Sequence, residues 1–265
     1  MSNPLAFINP SARLGANVTV DPFTCIHGNV EIGEGTWIGS NVTIFDGARI
    51  GKNCRIFPGA VISAIPQDLK YKGEDTTVII GDNTVIRECV TINRGTAAMG
   101  RTEIGDNCLL MAYVHIAHDC IIGNNVILAN SVNLAGHVTI EDWAILEGYV
   151  GVSQFMFIGA HSFIGGQTGV RKNVPPFVKA AREPLSYAGI NSVGLSRRGF
   201  SKEVIEEIQN IYRTIYQRGH TISKAVVLAE EEFAASAHRD QILNFIKSSE
   251  KGIIRGPLSS FQKAE

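Results

Sequence analysis

Residues 30–57 read VEIGEGTWIGSNVTIFDGARIGKNCRIF, and an aliphatic residue falls at every sixth place: Ile32, Ile38, Ile44, Ile50 and Ile56. Two places before each stands a mostly small residue, Val30, Thr36, Val42, Ala48 and Cys54, so the inward positions alternate with period two, as short strands require. A strand this short cannot bury its face alone. Stacking one coil on the next satisfies the backbone at a spacing of ~4.8 Å and builds a continuous core, so the repeat predicts a parallel β-helix.

The same phase runs back through Ile26, Val20, Leu14 and Ile8 and forward to Ile62, resumes at Ile80, Ile86 and Ile92, and from Ile104 reaches Val170 without a break. Three hexads make one triangular coil, so residues eighteen apart are expected to lie above one another. Residues 63–79 and 93–103 leave the phase, and a solenoid expels such insertions as loops, often on a binding face. From Val170 the chain reads VRKNVPPFV, and Pro175-Pro176 is expected to stop paired strands. The chain therefore divides into a β-helix over residues 1–176, with insertions at 63–79 and 93–103, and a C-terminal α-helical domain over 177–265.

In that second part Ser201 is placed to cap SKEVIEEIQNIYRTIYQRG, whose Val204, Ile205, Ile208, Ile211, Tyr212 and Ile215 form an apolar stripe that Gly219 ends. TISKAVVLAEEEFAASA and RDQILNFIKSS read as two further helices. Together they are expected to cover the open end of the β-helix, and the tail from Gly256 is expected to fray.

The 265 residues are 45% hydrophobic, enough for a substantial core, and the net charge of -1 gives no global attraction to nucleic acid or an anionic membrane surface. The first ten residues, MSNPLAFINP, lack the basic and apolar regions of a leader, and no run of about 18 apolar residues occurs. A cytoplasmic protein with no integral membrane segment is expected. Five cysteines without CxxC or finger spacing fit reduced thiols, and Cys54, Cys108 and Cys120 fall on the small inward position, where they only pack.

Residues 113–120 read YVHIAHDC. The eighteen-residue register stacks His118, Gly136 and Gln154 on successive coils, with Asp119, His137 and Phe155 one place further on. A histidine is the natural general base near neutral pH, and a neighbouring carboxylate fixes its tautomer and favours the imidazolium. Glycine one coil above allows close approach to a backbone N–H, as the oxyanion of an acyl-transfer intermediate needs. The same residues equally fit solvated corners, and His115, His118 and His137 could form a three-histidine zinc site. His27 and His161, without such neighbours, read as ordinary surface. In QDLKYKGE, Asp68 and Lys70 suit a sugar hydroxyl and a phosphate. Arg171, Lys172, Lys179, Arg182, Arg197 and Arg198 against the single acid Glu183 make a local basic patch that suits an anionic partner.

The hexad array, QDLKYKGE, TINRGT, HIAHDC, LAGHV, the SQF segment, GINSVGLSRRGF and the helical tail together resemble the UDP-N-acetylglucosamine acyltransferases that begin lipid A synthesis. The resemblance implies a left-handed parallel β-helix of hexapeptide repeats, a homotrimer with active sites between subunits, and transfer of a 3-hydroxyacyl group from acyl carrier protein to the glucosamine 3-hydroxyl of UDP-N-acetylglucosamine. It implies no metal and no cofactor beyond the phosphopantetheine thioester that the carrier brings. It assigns His118 as general base, Asp119 as its orienter and Gly136 as oxyanion donor. Asp68, Lys70, His115, His137 and Gln154 would hold the sugar nucleotide, with Asn191 and Arg198 near its uridine and phosphates. Gly166 would set acyl length, a small residue permitting a long chain, and Arg171, Lys172, Lys179, Arg182 and Arg197 would meet the carrier. Asn93, Ser153 and Pro184 depart from the pattern, in which histidine stands at each place.

The other functions this sequence admits are an acyl- or acetyltransferase of the same fold using a different donor or an amino-sugar acceptor, a zinc hydratase resembling the gamma-class carbonic anhydrases, and a non-catalytic β-helix. Fold alone does not separate them.

Overall fold

A computed structural model describes residues 4–257. Nearly every hexad yields a short strand ending on its aliphatic anchor, from Phe7–Ile8 to Gly169–Val170. The strands build three parallel sheets, one per face of a prism. The first face holds nine strands, from Phe7–Ile8 through His115–Ile116 to Gly169–Val170; the second holds eight, from Arg13–Leu14 to Phe157–Ile158; the third holds ten, starting at Thr19–Val20 and ending on two strands beyond the hexads, the last of them antiparallel. Partners in uninterrupted coils are eighteen residues apart, as Ile26 with Ile44 and Ile116 with Leu134. Ile26, Ile38, Ile44 and Ile56 are fully buried, each anchor contributing about 1.5–3 kcal/mol.

The inward small positions are chosen for more than size. Thr24, Thr36 and Thr84 donate their hydroxyls to the carbonyls of Gly39, Gly51 and Gly105, and Cys54 and Cys108 lean their thiols on the carbonyls of Gly81 and Gly123. Burial pushes the Cys54 and Cys108 thiols up to about 11 and Cys120 up to about 12, which leaves them packing groups without thiolate chemistry. All five cysteines are free.

Corners explain the rest of the repeat. At most corners the residue three places after an anchor takes left-handed backbone, and Asn fills it at positions 17, 41, 53, 83, 107 and 125, with φ between 52° and 58°. Asparagine tolerates that conformation, whereas other side chains pay roughly 1–2 kcal/mol. The glycine after the anchor has a different cause. A Cβ on Gly81 would lie 2.2 Å from Asp106 Oδ1, the oxygen that accepts the Asp82 N–H from the next coil at 2.7 Å.

Three expectations need correction. Strands extend to Ala64, resume at Thr77, end at Asn93 and resume at Arg101, so the irregular segments shrink to residues 65–76 and 94–100. Pro175-Pro176 does not stop pairing: Val174 donates to Phe157 O at 2.9 Å, Phe177 donates to Ala160 O at 2.8 Å, and Val178–Ala181 extends the third face before Ser186–Ile190 pairs antiparallel to it. The two prolines occupy a corner, where their missing N–H groups leave no ladder bond empty. A short helix α1, Ser192–Arg197, also precedes those foreseen.

Helix α2, Lys202–Gln217, is capped by Ser201 and buries Ile208, Ile211, Tyr212 and Ile215, with Gly219 in the left-handed region just beyond. Helices α3, Ile222–Glu232, and α4, Ala237–Ser248, follow. The Tyr212 hydroxyl donates to Pro176 O at 2.6 Å, and one apolar cluster runs from Val18 to Ile254, so the helical part closes the last coils. Arg255 still bridges to Ser186, and the rest of the tail expected to fray, past residue 257, lies outside the described residues. No helix among the described residues is long and apolar enough to cross a membrane.

Candidate active site

Both insertions leave from the corner between the first and second faces, and this corner also carries His118, Gly136 and Gln154 with Asp119, His137 and Phe155. Asp119, His137 and Phe155 take the left-handed corner conformation at φ 60°, 61° and 63°, in the place that Asn fills elsewhere.

His118 and Asp119 are buried. Asp119 Oδ2 lies 2.8 Å from His118 Nδ1 and 2.6 Å from the Thr96 hydroxyl, while Oδ1 accepts the Thr96 N–H at 2.9 Å. Burial pushes the Asp119 carboxyl up, but the Thr96 hydroxyl, His118, the Thr96 N–H and His137 outweigh it and hold the group below its ordinary value. An ionised carboxylate only accepts, so His118 Nδ1 carries a proton, and in the neutral imidazole Nε2 is the acceptor. That nitrogen faces Gly136: a Cβ there would stand 2.7 Å from Nε2, so only glycine fits over the imidazole. Among the described residues no acceptor meets the Gly136 N–H.

His137 sits edge-on to His118 with centroids 5.2 Å apart and stacks on Phe155 at 4.6 Å. Burial, partly offset by Asp119, keeps its pKa below the ordinary value, with smaller effects from His118 and from Asp68. Asp68 and Lys70 are thus carried by the insertion at this corner, where Asp68 Oδ1 accepts the Lys70 N–H at 3.0 Å. Gln154 is exposed one coil beyond Gly136. The three-histidine set is not brought together: Asp119 takes the place of His115 in the group whose ligand atoms lie within 4.8 Å of one another. His115 instead points outward on the first face, with Nδ1 2.7 Å from the Thr91 hydroxyl and a pKa lowered by burial.

That face carries a groove of about 520 Å³ lined by His115, Ala117, Ala135, Gly151, Ser153 and Arg171 among others. Gly166 lies on the corner between the third and first faces, its N–H donating to Glu147 Oε2 at 3.0 Å and its bare Cα against the Gly148 carbonyl. Asn93 is buried, with Nδ2 on the Ile65 carbonyl and Oδ1 without a partner, and Pro184 lies exposed in the turn after Val178–Ala181.

Asn191 and Arg198 stand on a different corner, between the second and third faces. Asn191 caps α1 and donates to His161 O at 2.9 Å; Arg198 lies 5.2 Å over Trp143 and 3.3 Å from His161 Nδ1. Within one chain these two are not brought to His118. His161 is sandwiched between Trp143 and Phe177, so its reading as ordinary surface is wrong. The eighteen-residue step from Trp143 to His161 was the signal. The basic run is also divided. Arg171 lines the groove and pairs with Glu183 at 3.2 Å, and Lys172 reaches the Lys251 carbonyl. Lys179 lies over Phe163 and shares a depression with Arg197 on the third face, and Arg182 is exposed in the turn. Thr96 and Thr102, which hold the Asp119 carboxylate and N–H, had no sequence signal beyond their place in or beside an insertion.

Comparison with known proteins converges on one family. Residues 173–254 match the model of the second domain of UDP N-acetylglucosamine O-acyltransferase, and residues 11–46, 32–64 and 101–136 match the bacterial transferase hexapeptide model. An acyl-[acyl-carrier-protein]–UDP-N-acetylglucosamine O-acyltransferase of Chlorobium phaeobacteroides is 58% identical over 248 residues, covering 93% of this chain and 94% of its own. One from Halorhodospira halophila is 46% identical over 254 residues, covering 96% and 98%. Among solved structures, a UDP-N-acetylglucosamine acyltransferase of Bacteroides fragilis superposes with a TM-score of 0.94 at 51% identity, covering 96% of this chain and all of that one.

Proposed function

Because the chain belongs to the acyl-[acyl-carrier-protein]–UDP-N-acetylglucosamine O-acyltransferase family, we propose that His118 is the general base of its acyl transfer. The protein is an O-acyltransferase that passes a 3-hydroxyacyl group from acyl carrier protein to the glucosamine 3-hydroxyl of UDP-N-acetylglucosamine, the first step of lipid A biosynthesis. His118 Nε2 takes the hydroxyl proton as the sugar oxygen attacks the thioester carbonyl. The Gly136 N–H donates to the resulting oxyanion, and Asp119 stabilises the imidazolium. Collapse expels the pantetheine thiolate, which recovers the proton from His118.

The observation that carries this reading is the His118–Asp119 pair at 2.8 Å beneath the Gly136 N–H, which meets no acceptor among the described residues. Asp68, Lys70, His115, His137 and Gln154 bind the sugar nucleotide, supported by their place around one corner or, for His115, on the adjoining groove. The groove gives the acyl chain its path towards Gly166, where the absent side chain favours a long one. Asn93 and Ser153 keep hydrogen-bonding capacity where the family resemblance would place histidine; Pro184 gives it up.

A homotrimer is the assembly we infer. Asn191 and Arg198, on another corner, contact a substrate at His118 only if a neighbouring subunit supplies them. Arg171, Lys172, Lys179, Arg182 and Arg197 meet the acidic carrier, Arg171 from the groove itself. The β-helix runs on past Pro175-Pro176 to Val178–Ala181 before the helices begin at Ser192, and the protein works in the cytoplasm and needs no metal or cofactor. His118→Ala is expected to reduce transfer from 3-hydroxyacyl carrier protein by about 10²–10⁴-fold with the assembly intact; full activity in that variant would overturn the assignment. Running the assay with acetyl-coenzyme A and with a 3-amino acceptor tests the donor and acceptor separately.

A further inference from the structure

The insertion at residues 94–100 has no task in the reading above, yet it is held on every side. Asn93, at its start, donates to the Ile65 carbonyl, while Arg94 donates from its N–H to Ala64 O at 2.9 Å and from Nε to Ser63 O at 3.2 Å. The foot of the loop carrying Asp68 and Lys70 is thereby tied to the foot of this one. On the other side the Thr76 hydroxyl donates to Gly95 O at 2.6 Å, and the Thr77 N–H donates to Gly100 O at 3.0 Å. Gly95 is pressed against the returning chain, since a Cβ there would come within 2.3 Å of the Arg101 nitrogen. Only glycine lets the backbone turn back so tightly.

What this brace delivers is Thr96. Its N–H and hydroxyl bind the two oxygens of Asp119, and the hydroxyl oxygen itself accepts the Ala98 N–H at 3.2 Å. We propose that Thr96 is a positioning residue for acyl transfer, acting through Asp119 on the orientation of His118. A carboxylate held only by His118 could rotate about its side-chain bonds and carry the imidazole with it. Two donors from one braced loop fix both oxygens, so Oδ2 meets Nδ1 and Nε2 stays towards Gly136. The hydroxyl also supplies one of the few partners that a buried carboxylate has.

This inference rests on His118 and Asp119 being the reacting pair. The experiment is steady-state kinetics of the full-length enzyme with Thr96→Val, which keeps the shape and loses the hydroxyl, and Thr96→Ser, which keeps it. Thr96→Val is expected to lower kcat by about 10- to 100-fold with the KM for the sugar nucleotide within about twofold, and Thr96→Ser to stay within about threefold of wild type. In an Asp119→Asn background the further loss from Thr96→Val is expected to fall below about threefold, because its target has lost its charge. Equal losses in Val and Ser, a loss confined to KM, or an undiminished loss beside Asp119→Asn would each overturn the proposal. Should Thr96→Val not fold, Thr96→Ala carries the same readings. If His118→Ala retains activity the underlying reading fails; if it is inactive while Thr96→Val matches wild type, only this inference does.

Discussion

His161 shows how far a single residue can be moved by its surroundings. Burial first, and then the Arg198 guanidinium, push its imidazole down to about 4 from an ordinary 6.5, with Asp142 opposing and His238 adding slightly. The folded protein therefore holds this proton less readily than the unfolded chain does. Stability from the neutral, stacked ring is complete above about pH 6.5 and is lost as the pH falls towards 4. His161→Phe keeps a ring between Trp143 and Phe177 and removes the titration. Urea unfolding of that variant should lose less stability between pH 6.5 and 4 than the wild type loses. The sequence left His161 as surface because its neighbours along the chain are plain: Trp143 is one coil back, and Arg198 arrives from beyond α1. The His118–Asp119 pair was legible for the opposite reason, its partners being adjacent and its glycine one register step away. Thr96 was not, since nothing in NRGT says where a loop will land.

At the scale of an element, the recurring aliphatic-glycine pair is a contact between coils as well as a corner. Gly81→Ala would drive a methyl into Asp106 and the backbone of the next coil, and is expected to destabilise the protein by about 1–3 kcal/mol, seen as a lower denaturant midpoint. At Gly151 a Cβ would meet nothing within 4 Å, so Gly151→Ala should stay within about 0.5 kcal/mol of wild type. Equal effects of the two would contradict the stacking role given to Gly81. Strand phase was legible from the hexads nearly to the residue. Insertion edges were not, because strands such as Thr77–Ile80 and Arg101–Ile104 begin before their anchors and pair with one another. Pro175-Pro176 misled because a proline's missing donor matters in a ladder and is harmless at a corner.

Over the whole molecule, the third face is unlike the other two. Val85, Leu109, Ile127, Ile145 and Phe163 pair strand to strand in register, all pointing outward and only half-buried. A contiguous apolar stripe of that kind marks an interaction surface, and it adjoins the corner holding Asn191 and Arg198. We place the interface of the proposed trimer on this stripe: Ile127→Lys is expected to yield monomer in sedimentation and to abolish transfer with it, and a trimeric, active variant would show that the subunits meet elsewhere. Periodicity could not reveal this, because it reports which side chains face the core and is silent on what covers the rest.

The eighteen-residue register also makes the prism modular. Gain or loss of one coil would preserve every inward contact and every corner, yet slide all that lies above it by one strand spacing, ~4.8 Å. The span between His118 and Gly166 can therefore change only in whole steps when coils are added or removed, and finer adjustment is left to single side chains at the ends of the groove. Such a scaffold is graduated, and its divisions are already written into the chain as a count of six.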